Sequence, residues 1–155
     1  MKSSVLFVCL GNICRSPLAE AAFRREAERL GLDVEVDSAG TGDWHIGYPP
    51  DPRAAVVAAR NGIDISHLKA RQVAPEDFRR FDHIVALDSN NLRDLERLRP
   101  GDGKARLSLL LDHVEGRRGE AVADPYYGED SHFDAAWADV SAGAEGLART
   151  IAEGG

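Results

Sequence analysis

The stretch Val5-Leu6-Phe7-Val8-Cys9-Leu10-Gly11-Asn12-Ile13-Cys14-Arg15-Ser16-Pro17 decides the fold. Its first four residues are all apolar, as in a parallel strand covered on both faces. Ser16 is a candidate helix N-cap, and Pro17 suits the first helical position. Ala19, Ala22, Phe23 and Leu30 then recur at helical spacing until Gly31 closes the run. Strand, tight loop and helix are therefore predicted in direct succession, with the loop at residues 9–16.

Outward from this unit the alternation continues. Val34 to Asp37 predicts a less buried strand, and Asp51-Pro52 opens a helix over 53–61 that Gly62 stops. His83 to Leu87 predicts a third strand, followed by a helix around Leu92, Leu95 and Leu98 that ends before Pro100. Arg106 to Leu111 predicts a fourth strand. Phe133, Trp137, Val140, Ala144, Leu147 and Ile151 share one face of a long last helix. Strands alternating with helices predict an α/β domain with a parallel sheet and right-handed crossovers. The 155 residues fit one domain, 1–155. The longest irregular piece with aromatic residues, 40–50, belongs to the end of the sheet where sites are built.

Composition narrows the function. The chain is 43% hydrophobic and 29% charged, ordinary for a soluble globular protein. It has no run of about 18 apolar residues, so no membrane span is expected. The N-terminus lacks a signal peptide's pattern, and a cytoplasmic location follows as the expectation. Two cysteines are too few for a disulfide scaffold and lack zinc-site spacing. The net charge of −7, with no basic tract, argues against nucleic-acid binding. It also repels phosphorylated ligands at long range, so any anion site must be built locally.

The loop at 9–16 can build one. It sits where a strand of an α/β sheet delivers the chain to a helix, the usual ligand position. The helix start offers unpaired N–H groups and a positive dipole end. Gly11 and Asn12 are the residue types that most readily take positive φ, which lets successive N–H groups converge on an anion. Arg15 has a planar fork that matches two phosphate oxygens. The same positive field favours the thiolate of Cys9, a nucleophile aimed at phosphorus. A cysteine followed six residues later by arginine is weak alone; the glycine, asparagine, flanking strand and Ser-Pro strengthen it. Phosphate transfer also needs a proton donor. Asp124, in Asp124-Pro125-Tyr126-Tyr127, can protonate a leaving oxygen and then activate water, although Asp-Pro is also a common turn signal. The two tyrosines can wall a cleft for an aryl group. Cys14 reads either as a redox guard, able to pair with oxidised Cys9, or as a small apolar loop residue.

With both stretches in place, the chain resembles the low-molecular-weight protein tyrosine phosphatases over nearly its whole length. VLFVCLGNICRSPLAE, DSAGTGDWHIGYPPDPRA, KARQV, FDHIVALDSNNLRDL and ADPYYG occur in family order. The resemblance implies a three-layer α/β/α fold with a four-stranded parallel sheet and a phosphate loop between first strand and first helix. It implies a two-step hydrolysis of phosphotyrosine and aryl phosphates through phosphocysteine, with no cofactor and no metal. Carried over by position, Cys9 is nucleophile, Arg15 phosphate binder and Asp124 general acid. Backbone N–H groups of Leu10, Gly11, Asn12, Ile13, Cys14 and Arg15 would bind the phosphate. Asn12, Ser16 and Ser38 match loop-supporting residues; Asp88 matches either a support or a helix cap. Where family members often carry a loop-supporting histidine, this chain has Leu68, with His67 one position earlier: either the turn is rearranged so that His67 supports the loop, or the contact is missing. The resemblance places Leu10, Ile13, Trp44, His45, Tyr48, Tyr126 and Tyr127 on the cleft rim, with Trp44 also readable as a core residue.

The partners implied are phosphotyrosine proteins, and a monomer is expected. Two other readings stand beside this one. The fold and loop resemble arsenate reductases, which relay electrons through further cysteines. The cradle would also serve a non-catalytic phosphate or phosphotyrosine binder, which has no need of Cys9, Arg15 and Asp124 together.

Overall fold

The computed structural model describes residues 2–154. In chain order it contains β1 (Ser3–Cys9), α1 (Arg15–Leu30), β2 (Val34–Gly40), α2 (Pro52–Arg60) and α3 (Pro75–Arg80). There follow β3 (His83–Ala86), α4 (Ser89–Leu98), β4 (Arg106–Leu109), a 3₁₀ turn (Leu110–His113) and α5 (Asp130–Ala152). The four strands form one sheet in the order β2-β1-β3-β4, every pair parallel.

Helices cover both faces, which is why β1 has no polar alternation. Val5 and Phe7 point into a core built with Leu18, Phe23, Phe133 and Leu147 of α1 and α5. Leu6 and Val8 point the other way, into a smaller core with Phe78, Phe81 and Leu95 around α3 and α4. All four strand residues are fully buried. Strand order reverses across β1 and β3, so the loops leaving their carboxyl ends diverge to opposite faces and open a crevice. Cys9 ends β1 at this crevice.

Helix α1 starts at Arg15, two residues before the expected position. Ser16 is inside its first turn and caps nothing; its hydroxyl is used elsewhere. Gly31 closes α1 in the left-handed region, φ 69°, as read from the sequence. Asp51 caps α2 by accepting from the Arg53 N–H. The fourth strand stops at Leu109, because Asp112 captures the Leu109 N–H and turns the chain into the 3₁₀ segment. Helix α3 has no counterpart in the sequence reading. Its six residues are too few for a period, and Asp77 holds its start by accepting from the Ala74 N–H.

Candidate active site

Cys9 is almost fully buried, with its sulfur beneath the loop that follows β1. The Asn12 N–H donates to Cys9 Sγ at 3.3 Å, and Ser16 Oγ lies 3.0 Å from the same sulfur. Ser16 Oγ accepts from Asn12 Nδ2 at 2.8 Å, and its one proton can go to the sulfur or, over a longer 3.5 Å, to the Ala39 carbonyl. The Asn12 amide, and the Ser16 hydroxyl when it turns to the sulfur, are groups able to hydrogen-bond a nucleophilic sulfur.

The loop is held from three sides. Asn12 has φ 59°, the one non-glycine residue in the left-handed region among the described residues. Its side chain compensates for that strain. Nδ2 donates to Ser16 and, at 3.0 Å, to Ser38, while Oδ1 accepts from the Arg71 N–H at 2.9 Å. Gly11 does not take positive φ, contrary to expectation. Its missing Cβ instead leaves room for the His45 ring, whose Cδ2 would lie 2.9 Å from it. At the end of β2, a Cβ on Gly40 would meet the Leu10 carbonyl oxygen at 2.7 Å, so only glycine lets strand and loop approach so closely.

Arg15 is 2% exposed. Its Nη1 donates to Asp88 Oδ2 at 2.7 Å and to the Val122 carbonyl at 2.9 Å. Among the described residues, its Nε and Nη2 donate no hydrogen bond. The rear of the guanidinium is thus anchored and its forward edge is free to grip an oxyanion. Burial opposes the charge, but Cys9, Asp88 and Asp124 outweigh it and raise the pKa of Arg15 above its ordinary value. Asp88 resolves the two readings offered for it by serving both. One oxygen accepts from Arg15 and the other from the Asn91 N–H, capping α4.

Asp124 comes from the loop between the 3₁₀ turn and α5. Its Oδ2 lies 3.7 Å from Arg15 Nη2, and its Oδ1 accepts from the Tyr126 N–H. It is exposed, in contact with solvent and facing a cleft of about 410 Å³ shared with Cys9 and Arg15. The same cleft is lined by Leu10, Ile13 and Cys14 from the loop and by Trp44, His45, Tyr126 and Tyr127 from the rim. Tyr126 and Tyr127 meet edge to face, ring centroids 4.9 Å apart. Trp44 is 65% exposed, so it is a rim residue and no core tryptophan. Cys14 is buried, and burial, with Asp51, Cys9 and Asp124 adding to it, pushes its thiol up and keeps it protonated.

Two expected site residues lie elsewhere. Tyr48 is exposed and does not line the cleft; its ring stands edge-on against His45, centroids 5.5 Å apart. His67 is exposed beside the outer face of α1 and makes no hydrogen bond to the loop, because the turn at 66–68 leads its side chain outward. The support comes from elsewhere. Glu20, 2% exposed, accepts from Ser38 Oγ at 2.8 Å and is paired with Arg24. Glu20 and the Arg71 amide escaped the sequence reading. A carboxylate one turn past Ser16, within the apolar run Leu18 to Phe23, was the available signal for the first. A backbone donor leaves no signal.

A buried thiol, a half-free guanidinium and an exposed carboxylate share this crevice. That combination defines a cysteine-centred phosphate site. The family model described as low molecular weight phosphotyrosine protein phosphatase matches residues 4–154. The chain belongs to this family. A protein of that description from Schizosaccharomyces pombe is 48% identical over 83% of this chain and 84% of its own length. The low molecular weight protein-tyrosine-phosphatase YfkJ of Bacillus subtilis is 42% identical over 96% of this chain and 95% of its own. The crystal structure of YfkJ superposes with a TM-score of 0.92, covering 99% of this chain and 97% of that one. The structure of a Drosophila arginine phosphatase superposes at 0.89, with 31% identity, covering 95% and 96%.

Proposed function

We propose that this chain hydrolyses phosphotyrosine and other aryl phosphate monoesters by way of a phosphocysteine. The observation that carries the reading is the shared cleft of Cys9, Arg15 and Asp124. The phosphate enters with its oxygens on the amides of residues 10–15 and on the free edge of Arg15. Cys9 sulfur attacks phosphorus as the bond to the aryl oxygen breaks, and Asp124 gives its proton to the departing oxygen. Asp124, now a carboxylate, takes a proton from water, which attacks phosphorus and frees Cys9 with inorganic phosphate. Backbone dipoles and Arg15 supply the positive charge throughout, so the reaction needs no metal or cofactor.

The walls support an aryl substrate. Ile13, Trp44, Tyr126 and Tyr127 offer flat apolar surface about the cleft, suited to a ring standing between phosphate and protein backbone. Phosphoserine has no such ring and a shorter reach. Phosphoarginine is the second reading, favoured by the likeness to the Drosophila arginine phosphatase. Identity to the relatives described as tyrosine phosphatases is higher, at 42–48%. We propose phosphotyrosine proteins as the substrates, and a monomeric enzyme acting on them in the cytoplasm. The acidic net charge of −7 supports no role with nucleic acid. No helix among the described residues is long and apolar enough to cross a membrane.

Peptides carrying phosphotyrosine, phosphoserine or phosphoarginine in one sequence context test the reading, with Cys9→Ser in parallel. Phosphate release from the phosphotyrosine peptide alone, lost in Cys9→Ser, is the expected result. Preference for phosphoarginine moves the substrate class. Binding of all wild-type arms without turnover leaves a phosphate-binding module, and arsenate-dependent consumption of a thiol reductant leaves a reductase.

A further inference from the structure

The phosphate loop is fastened on every side, whereas the segment that brings Asp124 to it has few polar ties to the rest of the fold. Upstream, Val122 is fixed: its N–H donates to the Leu87 carbonyl and its carbonyl accepts from Arg15. Downstream, α5 begins at Asp130. Between them, the hydrogen bonds that residues 124–129 donate are local: Tyr126 N–H to Asp124, Gly128 N–H to Pro125, and Glu129 N–H to His132. Pro125 is buried and Tyr126 packs against the main core, but among the described residues polar side chains from outside the segment hold it at only two points. One is the 3.7 Å ion pair of Asp124 with Arg15. The other is Arg53.

Arg53 Nη2 donates to the Tyr126 carbonyl at 2.9 Å, and Nη1 to the Gly128 carbonyl at 3.1 Å. Its guanidinium lies 4.5 Å from the centre of the Phe133 ring and 5.8 Å from that of Tyr126. Asp51 sets its direction: Nε donates to Oδ1 and Nη2 to Oδ2, both at 3.0 Å, a two-point grip that a planar fork permits. Asp51 is itself tied to the phosphate loop, because its N–H donates to the Ile13 carbonyl at 2.8 Å. A continuous chain of contacts therefore runs from Ile13 through Asp51 and Arg53 to the backbone on the far side of Asp124.

We infer that Arg53 is a positioning residue, which fixes the height and angle of the Asp124 carboxyl over the phosphate cradle. It touches no reacting atom. It fastens the acid's segment to the same helix start that fastens the nucleophile's loop, so the two move as one. This rests on the phosphatase reading above. Proton delivery tolerates little misplacement, because the donor must lie within hydrogen-bond reach of the leaving oxygen.

A positioning role predicts a particular kinetic pattern. General acid help matters most for a poor leaving group and least for a good one. Phenyl phosphate releases a phenol of pKa about 10, and p-nitrophenyl phosphate a far better leaving group. The value of kcat/KM reports transfer to Cys9 for each. In Arg53→Ala, kcat/KM for phenyl phosphate should fall by ~10-fold or more beyond its fall for p-nitrophenyl phosphate, within the range that general acids contribute. Asp124→Ala should show the same skew, only larger. The inhibition constant of inorganic phosphate should change less than about 3-fold, since the cradle remains (a factor of 3 is under 1 kcal/mol). Arg53→Lys keeps the charge but not the fork, and should show an intermediate skew. Equal falls for both substrates, or no fall, would overturn the role of Arg53. Should Arg53→Ala not fold, Arg53→Lys decides alone: a wild-type ratio of the two substrates rejects the inference. No turnover by the wild type would be a failure of the phosphatase reading, and is visible before any variant is made.

Discussion

The loop carrying Cys9 and the loop carrying Asp124 are built on opposite plans. Residues 9–16 are buried apart from Leu10 and Gly11, follow the central strand, and are cross-braced by Asn12, Ser16, Ser38 and Glu20. The acid segment is exposed at Asp124, with Tyr127 95% exposed, and hangs from Arg15 and Arg53. The contrast has a chemical rationale. Oxyanion stabilisation depends on several dipoles held fixed before the substrate arrives. A proton donor must instead meet solvent between the two half-reactions and let water in. One plan is buried and over-determined; the other is open to solvent and held through two arginines.

Arg15→Lys should be the most damaging way to break this contrast. Lysine cannot keep Asp88 and Val122 behind it while gripping two oxygens in front. We expect kcat/KM to fall on the order of 10³-fold for aryl phosphates, whatever the leaving group, as when an oxyanion donor is lost. Steady-state assays of phenyl and p-nitrophenyl phosphate check this, and a fall that depended on leaving group would blur the division of labour. Asp124→Ala should cost about 10²-fold to 10³-fold with phenyl phosphate while phosphate binding stays intact. Isothermal titration with inorganic phosphate is the measurement, and weakened binding would show that the acid segment also shapes the cradle.

Asn12 offers a finer probe. Asn12→Ala loses the three side-chain bonds and keeps the backbone strain, so kcat/KM should fall roughly 10-fold to 100-fold. Asn12→Gly relieves the strain without restoring the bonds. If glycine recovers more than half of the loss on a logarithmic scale, backbone shape outweighs bracing, and thermal melts of both variants should rank in the same order. Cys14→Ala should have the smallest effect, under about 3-fold on untreated turnover, since its thiol stays protonated. After peroxide treatment, reductant should restore the wild type more completely than the variant. Oxidised Cys9 would otherwise be captured by Cys14 with loss of water, and equal recovery would leave Cys14 as packing alone.

Most of the fold was legible because each signal was local. The unbroken apolar run Val5 to Val8, the Asp51-Pro52 helix start and the long stripe from Phe133 to Ile151 needed no partner to be recognised. The short helix α3 was not, since it is held by an ion pair network of Asp77 and Arg71 and has no period of its own. In the same way, Cys9, Arg15 and Asp124 stood out by chemistry and spacing. Glu20, Arg53 and the Arg71 amide act through contacts between residues far apart in the chain, which sequence order conceals. Ser16 misled for a related reason. A serine before proline is a capping signal on any local reading, and only the nearby sulfur and Asn12 reassign it.

Asp88 shows what such sharing means for the tolerance of the chain to change. Asparagine there would keep the start of α4 but forfeit the negative partner of Arg15. Glutamate would keep the charge on a longer arm, ill-matched to the turn it must close. Every neighbouring option solves one task and fails the other, so drift at this position has nowhere neutral to go, although nothing about its partly buried surroundings would announce the fact.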